Sequence, residues 1–371
     1  MALRQIIIIG GGLSGLICSL NLQKSGFQTL VIEKKNYPFH RVCGEYISNE
    51  VRPFLASLGI HPEELSAATL NHFQLSSVTG KELILPLDLG GFGISRFTLD
   101  HFIYEKAKAA GVSFIIGKKV QNVKYLQDHF EVELQGGAIE KGHFVIGAYG
   151  KRSKLDQVMK RKFFSKRSPY MGVKYHINYP EQAPDLISLH NFKNGYCGIN
   201  KVEGNAYNLC YLTARSNLTT TIAEMEENTL FDNPFLREIF TSAEFIFKKP
   251  LVINEISFET KELVANHIFM CGDAAGMITP LCGNGMAMAI HSAKILSEVI
   301  IKYAHQKNAQ LIIEKAYNKE WNKYFKARLW KGRQIQKLFG QSWVSNVSVE
   351  LARKVPPFAN FIMKQTHGDP F

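Results

Sequence analysis

Residues 5–33 read QIIIIGGGLSGLICSLNLQKSGFQTLVIE, and this stretch decides the fold. The β-branched run Gln5–Ile9 predicts a buried strand. Gly10-Gly11-Gly12-Leu13-Ser14-Gly15 follows, Leu16–Leu22 predicts a helix that Gly26 closes, and Thr29–Glu33 predicts a second strand ending in an acid. G-x-G-x-x-G between a strand and a helix marks a dinucleotide-binding β-α-β unit. Gly10 allows the tight turn, Gly12 lets the backbone approach a pyrophosphate, and Gly15 permits close helix–strand packing. The helix N-terminus, at Leu13 and Ser14, offers unpaired N–H groups and a positive dipole end. Glu33 and the adjacent Lys34 are the next candidates. A carboxylate at Glu33 suits ribose hydroxyls and would repel a 2′-phosphate, so FAD or NAD(H) is expected here and NADP(H) is not.

Outward from this unit, the 371 residues predict two or three domains. With 46% hydrophobic and 20% charged residues the composition is globular, which excludes a small binding module, a collagen-like chain and a disulfide scaffold. The net charge of +12 is uneven: residues 301–371 hold 13 Lys/Arg against 4 Asp/Glu, so most of the excess lies there. Six scattered cysteines form no C-x-x-C pair, and free thiols in a reducing compartment are expected. The run Ile6–Ile9 is too short for a signal peptide and no apolar stretch is long enough to span a membrane. The expected location is cytoplasmic, with contact to the inner face of the membrane as a further expectation. Helices are predicted over Glu50–Leu58, Thr98–Ala110, near 221–240, over Gly283–Tyr303 and over 309–340. The last carries Ile313, Tyr317, Trp321, Tyr324, Phe325 and Leu329 on one stripe. Short strands are predicted at Val112–Ile116, Val120–Leu126, Phe130–Leu134, Phe144–Gly147 and Ile268–Cys271, and predominate between 170 and 260.

Three further segments occur in order: Ile94-Ser95-Arg96-Phe97-Thr98-Leu99-Asp100, Val145 to Ser153 with Tyr149-Gly150, and Cys271-Gly272-Asp273-Ala274-Ala275-Gly276 leading to Pro280-Leu281-Cys282-Gly283-Asn284-Gly285-Met286. Together they resemble the FAD-dependent oxidoreductases of the para-hydroxybenzoate hydroxylase fold. Arg41-Val42-Cys43-Gly44-Glu45 looks like the R-x-C-G segment of the geranylgeranyl reductase branch. The resemblance implies an α/β protein: a Rossmann-type FAD-binding domain (1–75, 95–165 and 260–305) interleaved with a mixed, largely antiparallel β-sheet substrate domain (76–94 and 166–259), plus a C-terminal basic helical segment (306–371). It also implies that Asp273 binds the ribityl hydroxyls, that Gly272 passes close to the phosphates, and that Arg41 and Arg96 lie along the FAD. Val120 would meet the adenine and Pro280 would border the isoalloxazine. Gly283, Asn284, Gly285 and Met286 would offer N–H groups to the flavin's N1/C2=O edge, a role that an anion-binding helix terminus independently suits. A simple N-cap by Asn284 is the alternative.

Three departures bear on the reaction. Tyr149 stands where many relatives have Asp, which puts direct reduction by NAD(P)H in question. The W-x-W-x-I-P tract of flavin halogenases is lacking, since the three tryptophans are Trp321, Trp330 and Trp343, and halogenation is not expected. The aromatic-x-W-x-F-P tract of the reductases is replaced by Tyr196-Cys197-Gly198-Ile199-Asn200. The expected function is reduction of a double bond in a lipophilic substrate by hydride from reduced FAD. The alternatives are a flavin monooxygenase acting on a lipophilic or aromatic small molecule, and a flavoprotein docked on a membrane through 315–337, where aromatics sit among lysines. Cys43 and Glu45 are the catalytic candidates. For Cys43 a buried thiol packing a turn is the competing role, and for Glu45 a solvated or salt-bridged one. His176 and His190 are expected in core or surface roles. NAD(P)H or a reductase protein would donate electrons; no metal and no nucleic-acid partner is expected.

Overall fold

The computed structural model describes residues 5–277, 284–338, 346, 349–350 and 368–371. Its first sheet runs, in spatial order, Val264–Ala265 (β17), Ile268–Met270 (β18), Phe144–Gly147 (β10), Gln5–Ile9 (β1), Gln28–Glu33 (β2) and Ser113–Ile116 (β6). All pairs are parallel except β17–β18. Ile6, Ile7 and Ile8 have no exposed surface, as a central parallel strand covered on both faces requires. Leu13–Lys24 (α1) starts from Gly12 and ends before Gly26, whose φ of +86° suits a glycine past the C-cap. Arg96–Ala109 (α3) starts at Ser95, whose hydroxyl accepts from the Thr98 N–H. α1 packs between α3 and Gly285–Tyr303 (α7), and Ala309–Leu338 (α8) covers α7.

The second sheet has nine strands. Glu244–Phe245 (β15), Tyr170–Asn178 (β11), Tyr207–Ala214 (β14), Gly195–Lys201 (β13), Leu186–Phe192 (β12), Ala68–Ser76 (β4), Glu82–Gly93 (β5) and Tyr46–Ser48 (β3) follow one another, and Leu251–Asn254 (β16) also pairs with β11. Only β12–β4 is parallel. Val120–Leu126 (β7), His129–Leu134 (β8) and Ile139–Gly142 (β9) form a small third sheet. The two faces of β11 differ because strand side chains alternate. Val173, Tyr175 and Ile177 pack beneath two helices, Ile222–Thr229 (α5) and Pro234–Ser242 (α6), while Gly172, Lys174 and His176 take the opposite face. The remaining helices are Arg52–Ser57 (α2) and Lys154–Val158 (α4), the latter closed by a Ser153/Asp156 capping box.

Two sequence expectations need correction. The single helix near 221–240 is split, because Asn233 N-caps a new helix with Pro234 at its first turn. In α8, Ile313, Tyr317, Trp321, Phe325 and Leu329 are buried but Tyr324 is 43% exposed. Steps of four residues keep one side inward, and Tyr324 steps out of that row.

Candidate active site

The β1–α1 turn and two arginines build the first part of the site. Gly12 begins α1 without a side-chain cap, so the first N–H groups of the helix face outward. A Cβ added at Gly12 would stand 3.5 Å from Arg96 Nη2 and 3.6 Å from Arg41 Nη2, so both guanidinia lie over the helix terminus. Asp100 holds them there: Arg96 donates to it at 2.6 and 2.7 Å, and Arg41 approaches it at 3.4 Å. Burial works against the Arg96 charge, yet Asp100 holds its pKa above the ordinary arginine value. Arg41 Nε and Nη2 are buried and make no hydrogen bond among the described residues, although Glu33 lies 3.5 Å from Nη2. Two cations and uncapped N–H groups around one bare glycine fit a pyrophosphate. Glu33 is buried at the end of β2 and accepts from the N–H groups of Gly11 and Lys35 at 2.8 and 3.0 Å. Lys34 beside it is exposed. Val120 lies four residues beyond β6, the strand paired with the Glu33 end of β2, so it shares that edge.

The second part is the segment after β18. Gly272 has a φ of +62°, and a Cβ there would stand 2.5 Å from the Ser14 hydroxyl, so only glycine lets the loop lie this close to α1. Leu13, Ser14 and Met286 are buried where these segments pack. Lys261 clamps the loop by donating to the carbonyls of Asp273 (2.7 Å) and Lys151 (2.8 Å), and burial pushes its ammonium down to about 8. Asp273 and Gly285 line one crevice with Gly276, Met288, Ser292 and Trp321. Asn284 does not cap α7 with its side chain, contrary to the N-cap alternative: its amide donates instead to the buried Glu50 at 3.1 Å. Asn284 therefore leaves the first N–H groups of α7 without a cap from its own side chain. Pro280 and Gly283 lie outside the described residues.

The third part is the Arg41–Glu45 tract, which lies across β11 and β14. Glu45 is fully buried at a φ of +53°. Its carboxylate takes the Arg96 N–H at 2.7 Å, Lys174 Nζ at 2.5 Å and His176 Nε2 at 2.7 Å. Burial alone would raise its pKa, but Lys174 and His176 outweigh burial and hold it below the ordinary carboxylate range. An ionised carboxylate holds no proton to give, and these partners match the salt-bridged alternative for Glu45. Cys43 is partly buried and lies near both Arg96 and Cys210. His176 serves this cluster, whereas His190 points toward α6, bonded to Ser76 at 2.8 Å and stacked on Phe235, and burial pushes it down to about 3. Tyr149 donates to Asp156 at 2.9 Å, and Arg161 joins Asp156 to the Ala274 carbonyl at 2.8 and 3.0 Å.

Facing this loop, the nine-stranded sheet presents Leu189, Tyr196 and Leu212, which pack with Ile256 and with Met277, the residue after Gly276. Phe73 and Leu75 extend the patch at partial burial. The chain matches the FAD binding domain family over residues 4–327. It belongs to that family. It is an FAD-dependent oxidoreductase with a Rossmann-type domain, and the cradle over Gly12 supports FAD as its cofactor.

Among relatives, it is 22% identical to the digeranylgeranylglycerophospholipid reductase of Methanococcus vannielii, over 87% of this chain and 83% of that one. It is 24% identical to the same-named protein of Methanocaldococcus jannaschii (85% and 82%). It is also 24% identical to YetM of Bacillus subtilis, provisionally named an FAD-dependent monooxygenase (83% and 87%). The fold is shared with a geranylgeranyl bacteriochlorophyll reductase-like protein of Thermoplasma acidophilum (TM-score 0.77, 17% identity, 94% and 90% covered) and with the flavin-dependent brominase Bmp2 (0.79, 17%, 98% and 93%).

Sequence reasoning missed Lys174, Lys261, Arg161 and Glu50. Lys174 carried a faint signal, as a lysine flanked by Val173 and Tyr175 in an otherwise apolar strand, but nothing local names Glu45 as its partner.

Proposed function

We propose that the protein reduces a carbon–carbon double bond in a lipophilic substrate lying on the Leu189–Tyr196–Leu212 face. That apolar face, opposed to the Gly272–Met277 loop, is the observation that carries the reading. Its apolar side chains favour a hydrocarbon chain over a small polar acid, and the charges farther along the same face, Lys174 and His176, are engaged by Glu45. When bound, reduced FAD supplies a hydride. Balance then requires one proton at the other carbon and two electrons from a donor such as NAD(P)H or a reductase protein. The chain's own residues bind and orient: Arg41, Arg96 and the α1 terminus for the pyrophosphate, Glu33 for a ribose, Asp273 for the ribityl stretch. The two archaeal relatives named as reductases support this reading.

The second reading is hydroxylation, favoured by the relative provisionally named a monooxygenase. Anaerobic incubation of dithionite-reduced holoprotein with prenyl lipids separates the two. A product heavier by two hydrogens supports reduction. No such product, together with an oxygen-dependent product heavier by one oxygen, would overturn it. Repeating the assay with NADH, NADPH or neither identifies the donor.

A further inference from the structure

We infer that the outer face of α8 docks on an anionic lipid surface. Lys315, Lys319, Lys323 and Lys331 follow at steps of four or eight residues, opposite the buried row Ile313–Leu329, and Lys326 lies in the adjoining row. All five are exposed, and the first three and Lys326 form no ion pair among the described residues. The acids of α8 do not offset them: Glu314 is engaged by His267 at 2.7 Å, and neither Glu314 nor Glu320 is exposed. Trp330 projects from the same face at 57% exposure. A large aromatic left in water among lysines matches the interface of an anionic bilayer, where the ring sits at headgroup level and the ammonium groups meet lipid phosphates. An acidic protein would meet the same lysines and tryptophan, so binding to protein-free vesicles is the outcome that separates the two.

The opposite side of α8 ties the surface to the site. Tyr317 donates to the Met270 carbonyl at 2.7 Å, and a Cβ at Gly276 would stand 3.2 Å from the Trp321 ring and 3.3 Å from Leu329. One helix diameter, about 10 Å, therefore separates the docked face from the loop that carries Asp273. Docking does not depend on the reaction; only delivery of a lipophilic substrate from the bilayer rests on the reading above.

The test is flotation of holoprotein with phosphatidylglycerol/phosphatidylcholine vesicles and with phosphatidylcholine vesicles, at low and high salt and without substrate. The inference expects binding to the anionic vesicles only, weakened by salt. It expects at least about a tenfold loss in the Lys319→Glu/Lys323→Glu/Lys326→Glu variant. It also expects a vesicle-induced blue shift of tryptophan emission that Trp330→Phe removes. Flavin absorption and urea midpoint establish that each variant is folded; if the triple variant fails that check, the salt titration and Trp330→Phe decide. Absence of binding at low salt, binding indifferent to salt, or an unchanged emission shift in Trp330→Phe overturns the inference. Because no turnover is measured, failure here and failure of the double-bond assay are separate results.

Discussion

Glu45 combines two costs that a folded protein rarely carries together: a left-handed backbone and a fully buried carboxylate. Its partners hold both in place, and they come from α3 and β11, far away in the chain. Glu45→Gln leaves the buried Lys174 without a counter-charge and should cost about 3 kcal/mol of stability, read from urea unfolding. The sign of its pH dependence follows from a folded pKa below the unfolded value. The stabilisation is complete above the unfolded pKa of about 4.3 and is lost as pH falls through the folded one. The gap between wild type and Glu45→Gln should therefore close in acid. Tyr149 is the other informative residue. An Asp there would set a second carboxylate beside Asp156, where now a hydroxyl donates. Tyr149→Asp should lower the thermal midpoint, and a midpoint equal to that of Tyr149→Phe would contradict the like-charge account.

At the scale of elements, the start of α1 and the segment after β18 are held together by close approach. Gly12→Ala puts a methyl where Arg41 and Arg96 converge, in ordinary contact with both and so tolerable to the fold. It should reduce the flavin-to-protein ratio on purification while leaving the far-UV circular dichroism unchanged. Lys261 supplies a pH-dependent clamp. Burial holds it at about 8, below the unfolded value of about 10.4, so stability should rise with pH between those values, where the unfolded chain binds more protons. Lys261→Met should remove that rise, as unfolding measured across this range would show.

Across the whole molecule, the apolar face of the nine-stranded sheet has a gap at Gly198, aligned with Leu189 on one neighbour and Cys210 on the other. A Cβ there meets nothing closer than the Cys210 carbonyl oxygen at 3.7 Å. Gly198→Val should fold and bind FAD normally but slow turnover of the lipophilic substrate, because its side chain projects into the proposed cavity. Equal turnover would place the substrate elsewhere.

The residues of the dinucleotide unit were legible because their requirements are local: a β-branched strand, glycines at a turn, a helix start and an acid at fixed spacing. The hairpin of β4 and β5 was missed, although Leu83, Leu85, Leu87 and Leu89 alternate as a half-buried strand should. Glycines at 90 and 91 and Pro86 obscured that pattern. Sequence by itself determined the β-α-β unit, its dinucleotide chemistry and the concentration of basic charge toward the C-terminal end. Only the tertiary structure decided that Glu45 is an ion-paired support, that Lys261 clamps the Asp273 loop, and that the lysines of α8 share an outward face with Trp330. Each depends on a partner held in place by the fold, as Lys174 is for Glu45 and the Lys151 and Asp273 carbonyls are for Lys261, or on which side of a helix is packed, and such contacts leave no local trace in the chain.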